Sequence, residues 1–206
     1  MDTAGETEIR SDEDRIDGRT LRRTRNRTAV IVALLEIIRE GNLHPGAAEI
    51  ADRAGVSHRS IFRYFDDLDD LARTSIDHAF AEAGPLADVP DIGVGTLPER
   101  INSLVDSRLA LFQLVDGTMQ LARMRAPTIA SIDEGLAQIA ELFRAQIGEQ
   151  FTAELDTLAD ADRPLMVDAI LVMTSYDSFS IHVRLLQSDI GRIRAAWVTA
   201  ISKLLS

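Results

Sequence analysis

His58, Arg59, Ser60 and Arg63 gather hydrogen-bond donors and acceptors into one short stretch directly behind Ser57. Polar groups on the first turn of a short helix are what base edges in a major groove require. Catalytic alternatives are poorly served, because the chain has no nucleophile–base motif, phosphate loop or Glu-x-x-His pair. The four histidines, His44, His58, His78 and His182, show no close metal-ligand spacing, and there is no cysteine for a thiolate site or a disulfide. No metal, cofactor or enzymatic activity is therefore expected.

The elements that would position these side chains can be read from residues 47–71. Ala47, Ile50, Ala51 and Ala54 recur at helical spacing, and small residues let a second helix approach closely. Gly55 falls where the helix must stop and positive φ is needed. Val56 can plug the corner, and Ser57 can start the next helix by accepting from the Ser60 amide. Ile61 and Phe65 then face inward, leaving the polar residues outside. The pattern is a helix-turn-helix.

A net charge of −11 looks wrong for a nucleic-acid partner until it is divided along the chain. Residues 1–14 hold one Arg and six acids, residues 15–65 ten Arg and five acids, and residues 66–206 eleven Arg or Lys and twenty-two acids. Positive charge thus sits on the segment with the helix-turn-helix, as a phosphate-facing module needs. The 206 residues, 46% of them apolar, are ample for one large or two small domains. The apolar run at 29–35 is short and is followed by Glu36, Arg39 and Glu40, which fits an amphipathic helix better than a signal sequence. No run approaches the roughly 18 apolar residues of a membrane span. A soluble, cytoplasmic protein is expected.

The remaining periodicity predicts an all-α chain. A disordered acidic tail at 1–17 precedes a first helix marked by Val30, Ala33, Leu34, Ile37 and Ile38 and ending near Gly41. His44-Pro45-Gly46 breaks the chain before the second helix. Leu68, Leu71, Ile76 and Phe80 indicate a fourth helix, and the Pro- and Gly-containing segment 84–96 is linker-like. Further helices are expected at 97–115 and 118–125, separated by Asp116-Gly117, then from Pro127 to about Leu155, over 164–187, and from Asp189 to Leu205. These divide into a helix-turn-helix domain at 18–65 and a helical domain at 66–206.

Over about residues 20–80 the chain resembles the TetR-family transcriptional regulators. The resemblance rests on the alanine-rich helix, Gly55-Val56-Ser57, the short helix ending in Tyr64-Phe65, and the acidic turn ending in Leu71. It implies an N-terminal three-helix DNA-binding domain, a C-terminal domain that binds a small effector and mediates dimerisation, and a homodimer on a palindromic double-stranded operator. His58, Arg59 and Ser60 then occupy base-contacting positions beside Ser57. Arg59 could bond guanine O6 and N7, and Phe62, in place of a common Tyr, offers an apolar surface to a thymine methyl. Tyr64 matches a frequent phosphate contact. Arg63 lies on a polar face of the same helix, and Arg22, Arg23, Arg25 and Arg27 precede the first helix, where they could touch phosphates or enter the minor groove. Two positions depart from the family pattern. Leu68, among Asp66, Asp67, Asp69 and Asp70, stands where a phosphate-binding Lys is common, and Gly46-Ala47 replace hydroxyl residues at the second helix start.

For the effector, the candidates are soft or polar groups within apolar helices: Phe112, Gln113, Met119, Met124, Met173, Tyr176, Phe179 and His182. Tyr176 and His182 lead, because a buried hydroxyl or imidazole needs a partner that a ligand could supply. For the dimer, the last helix presents Ile193, Trp197, Ile201 and Leu204 on one face, which suits a bundle between subunits as well as a monomer core. The resulting expectation is a repressor released by a small molecule, with no membrane partner. Its rivals are a helical adaptor or an enzyme that does not bind DNA specifically.

Overall fold

The computed structural model describes the backbone of residues 4–206 and the side chains of residues 20–206, so the expected acidic tail at 1–17 lies outside the residues described in full. The fold is all-α, with no strand among the described residues. The chain forms two compact units, residues 1–78 and 79–206.

In the first unit, α1 (Ala4–Arg39), α2 (Ala47–Ala54) and α3 (His58–Tyr64) pack on one another, and α4 (Leu68–Ala87) begins. The α1 stripe of Val30, Ala33, Leu34, Ile37 and Ile38 is buried with Ile50, Ala51, Ile61 and Phe65. Full burial of each large aliphatic contributes about 1.5–3 kcal/mol. Ion pairing fixes α2 against α1 at the surface, where Arg53 reaches both oxygens of Glu40 at 2.9 and 2.8 Å. Arg22, Arg23, Arg25 and Arg27 lie within α1, not ahead of it. The apolar stripe marks only where the helix is covered, and residues 19–29, which contain no Gly or Pro, continue the helix ahead of it.

Gly55 closes α2 in the left-handed region at φ 66°, with the Val56 amide returning to the Ala51 carbonyl at 3.0 Å. A Cβ there would meet nothing within 4 Å, so only the backbone conformation demands glycine. Gly55→Ala is therefore expected to lower stability by about 1–2 kcal/mol, and Gly55→Asn by less, in urea unfolding. Equal stability of Gly55→Ala would show that the turn relaxes out of this conformation.

The second unit contains the end of α4 and then α5 (Leu97–Arg125), α6 (Ala130–Gln150), α7 (Thr152–Leu155), α8 (Asp162–Met173) and α9 (Tyr176–Ser180). A π-helical turn (Ile181–Leu185) and α10 (Ile190–Leu204) complete it. The long α5 is central, packing against α6, α9 and α10. It runs unbroken through Asp116-Gly117, contrary to the expected break. A helical glycine costs about 1 kcal/mol against alanine, and here Phe112, Val115, Thr118 and Met119 are buried on both sides of it. The segment expected as a linker at 84–96 is helical to Ala87, because Pro85 sits in the last turn, where few hydrogen bonds remain to be lost. Pro127 lies in the turn before α6, which starts at Ala130, so it does not open the helix. The run expected over 164–187 breaks after Met173. There the Thr174 hydroxyl bonds back to the Ile170 carbonyl at 2.8 Å, and Ser175 caps α9 by accepting from the Ser178 amide at 3.2 Å. Asp189 does open α10, accepting from the Arg192 amide at 2.8 Å.

Candidate nucleic-acid interface and small-molecule cleft

The outer face of α3 follows from its inward residues. With Ile61 at 0% and Phe65 at 2% exposure, helical geometry turns His58, Arg59, Phe62 and Arg63 to solvent. Arg59 has no hydrogen bond or ion pair among the described residues, so its guanidinium is available to a base. Phe62 is 48% exposed and packs edge-on against His58, with centroids 5.3 Å apart. The Ser57 hydroxyl does not cap α3 as expected. It bonds the Ser60 hydroxyl at 2.8 Å, while the Ser60 amide goes to the Ser57 carbonyl.

Beside this face lies a cleft of about 400 Å³ lined by Arg22, Arg23, Asn26, Arg63 and Tyr64. The Tyr64 phenol oxygen accepts from Asn26 Nδ2 at 3.3 Å and from Arg63 Nη2 at 2.6 Å. The bond from Asn26, with the Arg63 contact and the Arg23 charge, holds the phenol pKa below its ordinary value although burial opposes this. With both acceptor positions filled, the phenol proton is left to donate outward. The arginines of the cleft supply the charge that a phosphate would neutralise. Arg27 turns elsewhere, stacking 4.8 Å over the Phe65 ring, and Arg25 is exposed.

The acids at the start of α4 are partly occupied by structural roles. Asp67 accepts the Asp70 amide at 2.7 Å, and Asp70 pairs with Arg73 at 2.6 Å. Gly46, at the start of α2, makes no side-chain cap, so only backbone amides face outward there.

In the second unit, α4, α5, α6, α8 and α9 enclose a cleft of about 450 Å³. Phe112, Met119 and Tyr176, all anticipated as effector candidates, line it. The others do not. Gln113 is exposed and bonds the Leu109 carbonyl at 2.9 Å; Met124 and Met173 lie off the cleft; Phe179 is buried behind the wall against Phe112 and Tyr176. His182 sits on the π-helical turn beside Ser188, its Nδ1 3.5 Å from the hydroxyl. Tyr176 lines the cleft with its ring only. Its hydroxyl is already satisfied by Asp116 Oδ1 at 2.7 Å, and Asp116 in turn holds Arg184 with both oxygens at 2.7 Å. Burial, with the Asp116 carboxylate, raises the phenol pKa. The sequence did offer one overlooked signal: Leu136, Ile139, Ala140 and Phe143 repeat at helical spacing on α6, and all four line the cleft.

Behind the Phe143 wall Arg108 is fully buried. Its guanidinium lies 3.5 Å over the Phe143 ring and donates to Gln146 Oε1 at 2.7 Å and, more weakly, to the Ala87 carbonyl at 3.4 Å. Burial without a carboxylate pushes its pKa down to about 9. The Gln146 amide also donates to Ala87, at 3.0 Å, so the end of α4 is fastened to α5 and α6.

Three of the four side chains expected at a dimer interface are instead core of the unit. Ile193, Trp197 and Ile201 are at most 1% exposed, with Trp197 edge-on to Phe112, and only Leu204 reaches the surface. The same apolar stripe serves a monomer core or a subunit contact, and α10 spends it on α5. The apolar residues left outside include Leu165 and Val172 on α8, Ile181 and Leu185 on the π-helical turn, and Leu186 directly after it.

Among the described residues no group of three His, Asp or Glu is placed to hold a metal, and no helix is long and apolar enough to cross a membrane. Residues 30–74 match the family model described as bacterial regulatory proteins, tetR family. No curated protein matches the sequence. Solved structures similar to the chain include a tetR-family transcriptional regulator from Streptomyces coelicolor, 15% identical, with a TM-score of 0.70 over 87% of this chain and 79% of that one. A TetR transcription regulator from Haloarcula marismortui is 20% identical, with a TM-score of 0.65 over 87% and 96%. The multidrug binding protein EbrR complexed with imidazole is 19% identical, with a TM-score of 0.56 over 90% of each chain. Residues 30–74 thus carry the sequence pattern of the tetR family of bacterial regulatory proteins, and the all-helical fold of the chain is that of the TetR-family transcriptional regulators it is similar to.

Proposed function

We propose that the protein is a repressor that binds a palindromic operator as a homodimer and is released when a small molecule enters the cleft of the second unit. Residues 18–65 would form the reading domain and residues 66–206 the effector and dimerisation domain. The observation that carries the reading is the juxtaposition in the first unit of an exposed α3 face, with Arg59 unengaged among the described residues, and the Arg22, Arg23, Arg63 and Tyr64 cleft. One face supplies base readout and the other phosphate contacts, which are the two parts of a specific DNA interface. Dimerisation supports it, since a single short helix reads few bases and two-fold symmetry doubles the site. The uncovered side chains Leu165, Ile181, Leu185 and Leu186 supply the surface for a second copy.

The effector part rests on the cleft, whose apolar walls and size suit a small organic ligand. The absence of a Lys at Leu68 shifts the phosphate grip to the arginines of α1 and α3. Three arginines per protomer, six per dimer, predict that the logarithm of affinity falls with that of salt with a slope of about −5. Substituting Arg23 and Arg63 together by Gln is expected to make that slope shallower by about 3 or 4 without changing sequence preference, in fluorescence anisotropy on operator DNA. A slope unchanged by the double substitution would place the phosphate contacts elsewhere. The reading as a whole is tested by gel shift on genomic fragments: specific retention at physiological salt supports it, and retention no better than that of an unrelated acidic protein contradicts it.

A further inference from the structure

The polar groups facing the 450 Å³ cleft are unevenly spent. Five polar side chains line it: Asp88, Arg123, Ser175, Tyr176 and Asp177. The hydroxyl protons are already used, that of Ser175 on the Val172 carbonyl at 2.8 Å and that of Tyr176 on Asp116. The single lining cation, Arg123, is balanced by its ion pair with Asp177. Asp88, by contrast, makes no hydrogen bond or ion pair among the described residues. Arg108 has no surface on the cleft, being fully buried behind Phe143 and directed to Gln146 and Ala87.

An anionic ligand would therefore find no unspent hydroxyl donor and no unbalanced cation in the walls, and it would meet an unpaired carboxylate. A cation finds the reverse. The rings of Phe112 and Tyr176 attract a cation as well as an apolar body, whereas Phe143, with Arg108 stacked 3.5 Å over its ring, offers an apolar wall. Residues 79–206 carry seventeen acids against ten Arg and Lys, which raises the local concentration of cations.

We infer that the cleft takes a lipophilic amine or quaternary ammonium compound, its apolar body against Phe112, Phe143 and Tyr176 and its charged nitrogen at Asp88. The inference rests on the reading of this cleft as the effector site. It adds the chemical class, which fold and family leave open.

Titration calorimetry of the full chain with three matched probes, 6-phenylhexylamine, 6-phenylhexanol and 6-phenylhexanoate, tests it. The amine is expected to bind about five- to tenfold tighter than the acid, the difference an exposed ion pair and a ring contact provide, with the alcohol between them. Asp88→Asn removes the ion-pair share of the amine's advantage over the alcohol and leaves the alcohol unchanged. Gly84→Leu locates the binding, because a Cβ at this helical, cleft-lining glycine meets nothing within 4 Å and the added side chain fills the cleft without a clash at its root. It is expected to weaken all three probes while preserving the thermal unfolding transition. An acid that binds as tightly as the amine, no binding of any probe, an amine preference undiminished by Asp88→Asn, or binding indifferent to Gly84→Leu overturns the inference. Operator release is read separately in the anisotropy assay. Amine binding without release contradicts the repressor reading and leaves the ligand class standing. Release by the acid alone does the opposite.

Discussion

Arg59→Ala is expected to abolish sequence preference while leaving the fold intact. The side chain is exposed on α3 and has no partner among the described residues, so its removal leaves no buried group unsatisfied. Folding stability should change by no more than about 0.5 kcal/mol. A bidentate arginine–guanine contact is worth about 1–3 kcal/mol of discrimination, and a dimer makes it twice, so operator affinity should fall by about 30-fold or more. Affinity for unrelated DNA should fall far less, because the Arg22, Arg23 and Arg63 cleft is untouched. Anisotropy titrations on operator and scrambled DNA separate the two effects. An equal loss on both would make Arg59 a phosphate contact and move base readout to His58 and Ser60.

Trp197→Asp is expected to unfold the second unit instead of splitting a dimer. Trp197 is 1% exposed and packs against Phe112, which also touches Phe143, Tyr176 and Phe179. Truncating a buried aromatic costs about 3–5 kcal/mol. An unpaired buried carboxylate adds several more, against a total stability of about 5–15 kcal/mol for a domain. Circular dichroism should show a lost or strongly lowered thermal transition, and the same damage should reach the cleft that Phe112 lines. Leu185→Glu is the matched control. At 75% exposure it is expected to shift stability by no more than about 0.5 kcal/mol in the monomer, and to shift sedimentation from dimer to monomer. A folded, monomeric Trp197→Asp protein would restore α10 to the interface.

These two residues also show what the sequence made legible. The helix-turn-helix was readable because its determinants are local: the Ala and Ile spacing of α2, the positive φ at Gly55, and the alternation of Ile61 and Phe65 with polar neighbours all lie within one short segment. The stripe on α1 was readable for the same reason. Its beginning was not, since an uncovered helical turn has no apolar signature, and the arginines consequently looked like an arm ahead of the helix. Trp197 misled because burial by α5 and burial by another subunit write the same periodicity. The cleft was least legible of all. Its walls come from five helices, and whether a side chain faces it depends on pairings between residues far apart in sequence. Size and apolarity mark Phe112 and Met119 in the sequence, whereas the hydroxyl that marks Tyr176 is already satisfied by Asp116, sixty positions away. Asp116-Gly117 has the composition of a helix break, yet α5 continues through it with Asp116 holding Tyr176 and Arg184.

The proposed function stands on the reading of a defined DNA sequence by the face of α3. Selection of bound fragments from random double-stranded DNA by the full chain, with Arg59→Ala selected in parallel at the same salt, tests it most directly. Enrichment of one palindromic motif by the unaltered protein, and of none by the variant, is expected. Enrichment of no motif by the unaltered protein, or of the same motif by both, would contradict it.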